Sequence, residues 1–293
     1  MVNMSAVACA AVLALAVAQN AFAMGAKPPS TPVTVTPPRA SPSPGSGGAQ
    51  IEAIAAASSC SRYGWRNRGR APAGYVKGVA LAFARSLCRL TDPGELRAPA
   101  AVMSQASVGD AYSDALAHYS ATFASHGMEI DVAGAGALRA VYALGLGLGM
   151  RESSGTYCAG NDTTAGPETA SEAEAGPFQT SYNSMGIAPE LRALYVEYQA
   201  HPQRCALSVF KEGASCPAQA IVGSGAGAAY QRFNKSCPAF ATEYAMVVLR
   251  DLRRHFGPIN RHEAEVVPAC AAMFQQVQGF VAQDPSSICA GLE

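Results

Sequence analysis

Residues 132–150, Val-Ala-Gly-Ala-Gly-Ala-Leu-Arg-Ala-Val-Tyr-Ala-Leu-Gly-Leu-Gly-Leu-Gly-Met, are apolar on nearly every face of a helix, with Arg139 as the one charge. A helix without a polar face has to be covered on all sides. Arg139 and the glycines 134, 136, 145 and 147 argue against a membrane span, so the cover must be protein. Glycines cost helix propensity, and their presence predicts neighbours packed close to the helix axis. They are not a nucleotide loop, since no strand precedes them and the Gly-x-Gly-x-x-Gly spacing is incomplete.

The rest of the chain supplies helices for that cover. Apolar residues make up 49% of the sequence but aromatic ones only 8%, so the core relies on small side chains and close helix contact. Helical periodicity is visible over 51–60, 75–90, 111–126, 135–150, 188–200, 204–211 and 238–256, and no alternating strand pattern stands out. The expected fold class is all-α or strongly α-rich. A nine-residue basic loop, 62–70, carries Arg62, Arg66, Arg68, Arg70 and the single Trp65. Arginines and an exposed indole could face an anionic or sugar ligand, but the simpler reading is a solvated charge run with Trp65 turned into the core.

The flanks read as export signals. Residues 1–23 are uncharged and apolar and end in Ala21-Phe22-Ala23, which fits a signal peptide cleaved after Ala23. Residues 24–50 are rich in Pro, Ser, Thr and Gly and are expected to form a linker, with the folded part starting near Ile51. Beyond Cys9, eight cysteines remain: Cys60, Cys88, Cys158, Cys205, Cys216, Cys237, Cys270 and Cys289. An even number in an exported chain predicts up to four disulfides among 105 pairings. Cys205 with Cys216 and Cys60 with Cys88 are the pairs that sequence proximity suggests. Cys-x-x-Cys and His-Glu-x-x-His are both missing, so no metal or other cofactor is expected. With 21 Lys and Arg against 21 Asp and Glu, bulk charge gives no attraction to nucleic acid.

Chemistry enters where the apolar segment ends, at Glu152-Ser153-Ser154-Gly155. A carboxyl at the end of a buried helix is partly desolvated, which favours its protonated form and suits a general acid. Further on, Glu172-Ala-Glu174-Ala-Gly-Pro-Phe-Gln179-Thr-Ser-Tyr182-Asn183 combines carboxylates with a turn and with amide and hydroxyl groups suited to sugars.

A buried helix ending in Glu-Ser-x-x-Gly, followed by Gly-x-x-Gln, resembles the lysozyme-like superfamily, in particular goose-type lysozymes and soluble lytic transglycosylases. Gly176-Pro177-Phe178-Gln179 stands where that family has Gly-Leu-Met-Gln. A looser third match is the Gly-rich stretch 223–230 ending in Tyr230, followed by a helix, although Ile221-Val222 replaces the family's Tyr-Asn. The likeness covers residues 131–258 as a catalytic core, leaving 51–130 as an N-terminal helical extension and 259–293 as a C-terminal one. It implies cleavage of the β-1,4 bond between N-acetylmuramic acid and N-acetylglucosamine in the glycan strands of peptidoglycan, with Glu152 as general acid and base. Ser153, Gln179, Tyr182, Asn183 and Tyr230 would then hold or border the substrate. A hydrolase needs a second carboxylate, for which Glu174, Glu172 and Asp162 are available; a lytic transglycosylase needs none. Ser181 stands where goose-type enzymes carry an Asp, which tilts the reading toward transglycosylase. A non-catalytic wall-binding protein of the same fold and a chitinase-like hydrolase are the alternatives. The expected location is periplasmic or secreted, and a neutral chain suits a substrate already close at hand.

Overall fold

The computed structural model describes residues 46–92, 94, 97–107, 109–161, 168–216 and 221–293. The signal-peptide and most of the linker assignments lie outside these residues, as does Asp162. Thirteen α-helices occur among the described residues: α1 (Ser46–Ala57), α2 (Ala73–Thr91), α3 (Arg97–Met103), α4 (Ala115–His118), α5 (Ser120–Ser125), α6 (Ala135–Ser153), α7 (Pro189–Ala200), α8 (Leu207–Phe210), α9 (Gly225–Ser236), α10 (Pro238–Asp251), α11 (Gly257–Asn260), α12 (Pro268–Val281) and α13 (Pro285–Ala290). The fold is therefore strongly helical, as the periodicity predicts.

α6 is the centre. From Ala137 to Met150 its side chains Leu138, Val141, Tyr142, Leu144, Leu146, Leu148 and Met150 are all inaccessible to solvent. Each large aliphatic side chain so buried contributes about 2 kcal/mol relative to exposure. Helices α2, α10 and α12 pack around it. The glycines in its second half make that possible: a methyl on Gly145 would overlap Met246 of α10, one on Gly147 the backbone carbonyl of Glu265, and one on Gly149 the Tyr75 hydroxyl of α2. Gly134 and Gly136 face no such neighbour. Between α2 and α10 a buried ion pair joins Arg89 to Glu243, whose other oxygen accepts from the Tyr198 hydroxyl of α7 at 2.9 Å. Each charge thus keeps a partner away from water.

Several expectations need correction. Helix α1 already starts at Ser46, ahead of the folded start expected near Ile51, because Gly47 packs against Ile288 and Gly48 lies near Leu81 and Leu292, so tertiary contact carries a helix through residues of poor propensity. The helix expected over 111–126 is split in two at Tyr119, with Asp114 capping α4 through the Leu116 N–H at 2.9 Å. The Gly-rich stretch 223–230 is mostly helix, since α9 starts at Gly225. The basic loop forms a small antiparallel hairpin, β1 (Gly64–Trp65) with β2 (Gly69–Arg70), turned through left-handed Asn67 and Gly69. Trp65 is buried, as expected.

Four disulfides close the fold: Cys60–Cys270, Cys88–Cys289, Cys158–Cys216 and Cys205–Cys237. The suggested pairs Cys205–Cys216 and Cys60–Cys88 do not form. Cys60 sits in a single 3-10 turn against α12, which carries Cys270, while Cys88 near the end of α2 meets α13. Cys205 meets Cys237, just before α10. Two of the four bridges thus tie the stretch before residue 130 to the stretch after 258. Four disulfides suit an oxidising, extracytoplasmic setting. Among the described residues no helix is long and apolar enough to cross a membrane.

Candidate active site

The chain leaves the core at the end of α6. Met150 is fully buried, Arg151 to Ser154 are half-buried, and Ser154 and Gly155 both adopt left-handed backbone. Their N–H groups turn back to the carbonyls of Met150 and Gly149, at 3.0 and 3.1 Å, and stop the helix. Gly155 is required twice over, by its φ of 73° and by the close approach of Tyr75 and Pro72.

This end of the helix is welded to the turn 176–179. The Ser153 hydroxyl donates within hydrogen-bond range of the Pro177 carbonyl, 2.8 Å, and the Gly149 carbonyl, 3.1 Å, and accepts from the Thr156 N–H at 3.1 Å. The turn is closed by paired backbone hydrogen bonds between Ala175 and Thr180, at 3.1 and 3.3 Å. Gly176 has a φ of 78°, and a methyl there would overlap Asn234 of α9. The third stretch joins from below: the buried Tyr230 hydroxyl shares a hydrogen bond with Thr180 at 2.8 Å, and Asn234 donates to the same Thr180 oxygen at 2.8 Å. Gln231 accepts from the Val222 N–H at 2.9 Å and donates to the Ala170 carbonyl at 2.9 Å, fixing α9 to both neighbouring loops. The three stretches singled out in the sequence therefore form one contiguous unit.

Glu152 is half-buried on this unit, and its carboxyl is pushed up to about 8. Burial is the largest cause; the nearby Glu174 charge adds to it, while Arg261, Arg68 and Arg151 pull the other way. Among the described residues no side chain donates a hydrogen bond to Glu152 or pairs with it. Glu174 is half-buried, and its N–H donates to Asn161 Oδ1 at 3.1 Å. Glu263 binds Arg261 through both carboxylate oxygens, at 2.9 and 3.0 Å, and Arg151 at 3.1 Å, which holds its own carboxyl down near 2. Burial and the neighbouring Glu174 charge thus outweigh the surrounding arginines and favour the protonated form of Glu152.

The remaining predicted residues are placed less directly. Gln179 is buried, in left-handed backbone, and its amide donates to the Gly176 carbonyl at 2.9 Å, so it braces the turn. Tyr230, expected to border substrate, is fully buried, with its hydroxyl on Thr180. Tyr182 is half-buried, edge-on to Tyr230 with ring centroids 6.1 Å apart. Asn183 is exposed and accepts from the Ser181 hydroxyl at 2.6 Å. Glu172 is exposed and turned onto Thr169, whose N–H and hydroxyl donate to it at 3.0 and 2.8 Å and hold its carboxyl below the usual range. Glu174, not Glu172, is the carboxylate whose charge reaches the acid.

Sequence reasoning missed Arg68, Arg151, Arg261 and Glu263 as surroundings of Glu152. The arginine-rich loop was visible, but nothing in its pattern indicates that it folds against residue 151. His255 is half-buried and hydrogen-bonds the Gln179 backbone. Among the described residues no group of three or more His, Cys, Asp or Glu is arranged to hold a metal ion. No protein-family model, curated protein or solved structure matches the chain.

Proposed function

We propose that this protein cleaves the β-1,4-linked glycan backbone of peptidoglycan, with Glu152 as the general acid. The observation that carries the reading is the Glu152 carboxyl, pushed up to about 8 at the end of a helix that is buried from Ala140 to Met150, and anchored through its neighbour Ser153 to the turn 176–179. A proton is thereby available at neutral pH. Glu152 gives it to the glycosidic oxygen as the bond to the muramoyl C1 breaks and positive charge develops on the sugar ring. The resulting carboxylate then takes the proton from the muramoyl 6-hydroxyl as that oxygen attacks C1, leaving a 1,6-anhydro end. This lytic transglycosylase course needs no second carboxylate. It is favoured by Ser181, which is buried and occupied with Asn183 where goose-type enzymes carry an acid.

One observation supports a second course. Glu174 lies near enough for its charge to act on Glu152, and a carboxylate so placed can activate water for hydrolysis. Mass analysis of fragments released from purified peptidoglycan separates the two: anhydro ends report transglycosylation, and reducing ends report hydrolysis. A protein that binds the wall and releases neither would be the non-catalytic alternative.

A further inference from the structure

The proton transfer leaves the hairpin of residues 62–70 unused, although it carries a concentrated charge beside the acid. Arg62, Arg66, Arg68 and Arg70 are all exposed, and among the described residues none lies within ion-pair distance of a carboxylate. Less exposed arginines elsewhere are neutralised: Arg89 by Glu243, Arg204 by Glu197 and Glu293, Arg250 by Asp114.

The hairpin is not a loose surface loop. The Arg66 N–H and the Tyr63 hydroxyl both donate to the Glu265 carboxylate, at 2.8 and 2.9 Å. On its other side the Arg68 guanidinium donates to the Arg151 carbonyl, and the Arg151 guanidinium reaches back to the Arg66 carbonyl at 3.5 Å. Arg68 is thus fastened one residue from Glu152, close enough for its charge to act on that carboxyl. Two of the nearby carboxylates are already engaged: Glu263 by Arg151 and Arg261, and Glu265 by the hairpin's own N–H and Tyr63. A fixed guanidinium with open donors suits a carboxylate, which it can grip with two parallel hydrogen bonds.

We infer that Arg68, flanked by Arg66 and Arg70, is a recognition residue for a carboxylate borne by the glycan next to the bond that Glu152 breaks. This rests on the glycan-cleaving reading above and narrows it to acidic glycans, setting aside a neutral polymer such as chitin. Attraction is supplied locally by the hairpin in a chain whose overall charge is zero.

The test separates binding from cleavage by using Glu152→Gln as the parent protein. Its affinity is measured for peptidoglycan strands freed of peptides, which carry a carboxylate on alternate sugars, and for the same strands after carbodiimide amidation. Amidation is expected to weaken binding about tenfold, the scale of one charge-assisted contact. Adding Arg68→Ala should weaken binding to the acidic strands by a similar factor and leave the amidated strands unaffected, while Arg68→Lys restores part of the loss. A thermal melt checks that each variant is folded. Equal affinity for both strand types, or acidic-strand binding unchanged by Arg68→Ala, overturns the inference. Failure of the cleavage reading has a different signature: the wild-type chain releases no fragments, whatever the arginine variants do to affinity.

Discussion

Replacing Glu152 with Gln should make the protein more stable as pH rises, and the size of the gain follows from the site. The Glu152 carboxyl moves from 4.5 to about 8 on folding. That shift corresponds to about 5 kcal/mol against the ionised form in the folded state. Because the folded pKa is the higher one, the folded protein holds more protons than the unfolded chain between these limits. Stability contributed by the protonated acid is fully present below pH 4.5 and is lost as pH rises through 8. Glutamine keeps the shape without the titration. The stability of Glu152→Gln minus that of wild type should therefore increase by about 1.4 kcal/mol per pH unit across this window and level off above it. Urea unfolding of both proteins, disulfides intact, at a series of pH values from 4 to 9.5 reads the difference directly. A difference that does not change with pH, or a wild type that gains on the variant as pH rises, would refute the claim that burial and Glu174 hold the proton on Glu152.

Three further outcomes follow. Glycan cleavage should fall about tenfold per pH unit above pH 8, where the acid ionises; in Glu174→Gln, which removes the neighbouring negative charge, that fall should begin at lower pH, as a pH–rate profile would register. Ser153→Ala leaves the Pro177 carbonyl without its donor, while the Thr156 N–H keeps the backbone carbonyl of residue 153, and should cost about 1–3 kcal/mol in denaturant unfolding; it should lower kcat more than it raises KM, because the acid loses its anchor to the turn. Titration of the denatured, unreduced protein with a thiol reagent should find none of the eight cysteines beyond Cys9 reactive, since each is bridged.

How much of this was legible in the sequence depends on what each residue pattern encodes. The all-round apolar stretch located α6 and, by extension, the desolvated position of Glu152, because burial on every face is a property of composition alone. The packing role of Gly145 and Gly147 was equally readable, but which elements they admit was not. Cysteine pairing was opaque: Cys60 and Cys270 are 210 residues apart, and proximity along the chain pointed to nearer partners. α9 was hidden because Gly225 and Gly227 resemble a loop, whereas Gly227 is there to let the helix pass the Ala170 backbone. Gln179 and Tyr230 lie on short, aperiodic or Gly-rich segments, whose sequence does not say which side faces solvent. Both turn inward, and the groups that frame the acid come instead from a hairpin nearly ninety residues upstream and from residues 261–263.

The most direct test of the account is to incubate the wild-type chain and Glu152→Gln, side by side at neutral pH, with purified peptidoglycan and to weigh the fragments released. Wild type should release disaccharide-based fragments, with anhydro ends predominating, and Glu152→Gln should fall by a factor of about a hundred or more. Equal release by the two proteins would contradict the assignment of Glu152 as the acid, and no release by wild type would contradict the assignment of cleavage itself.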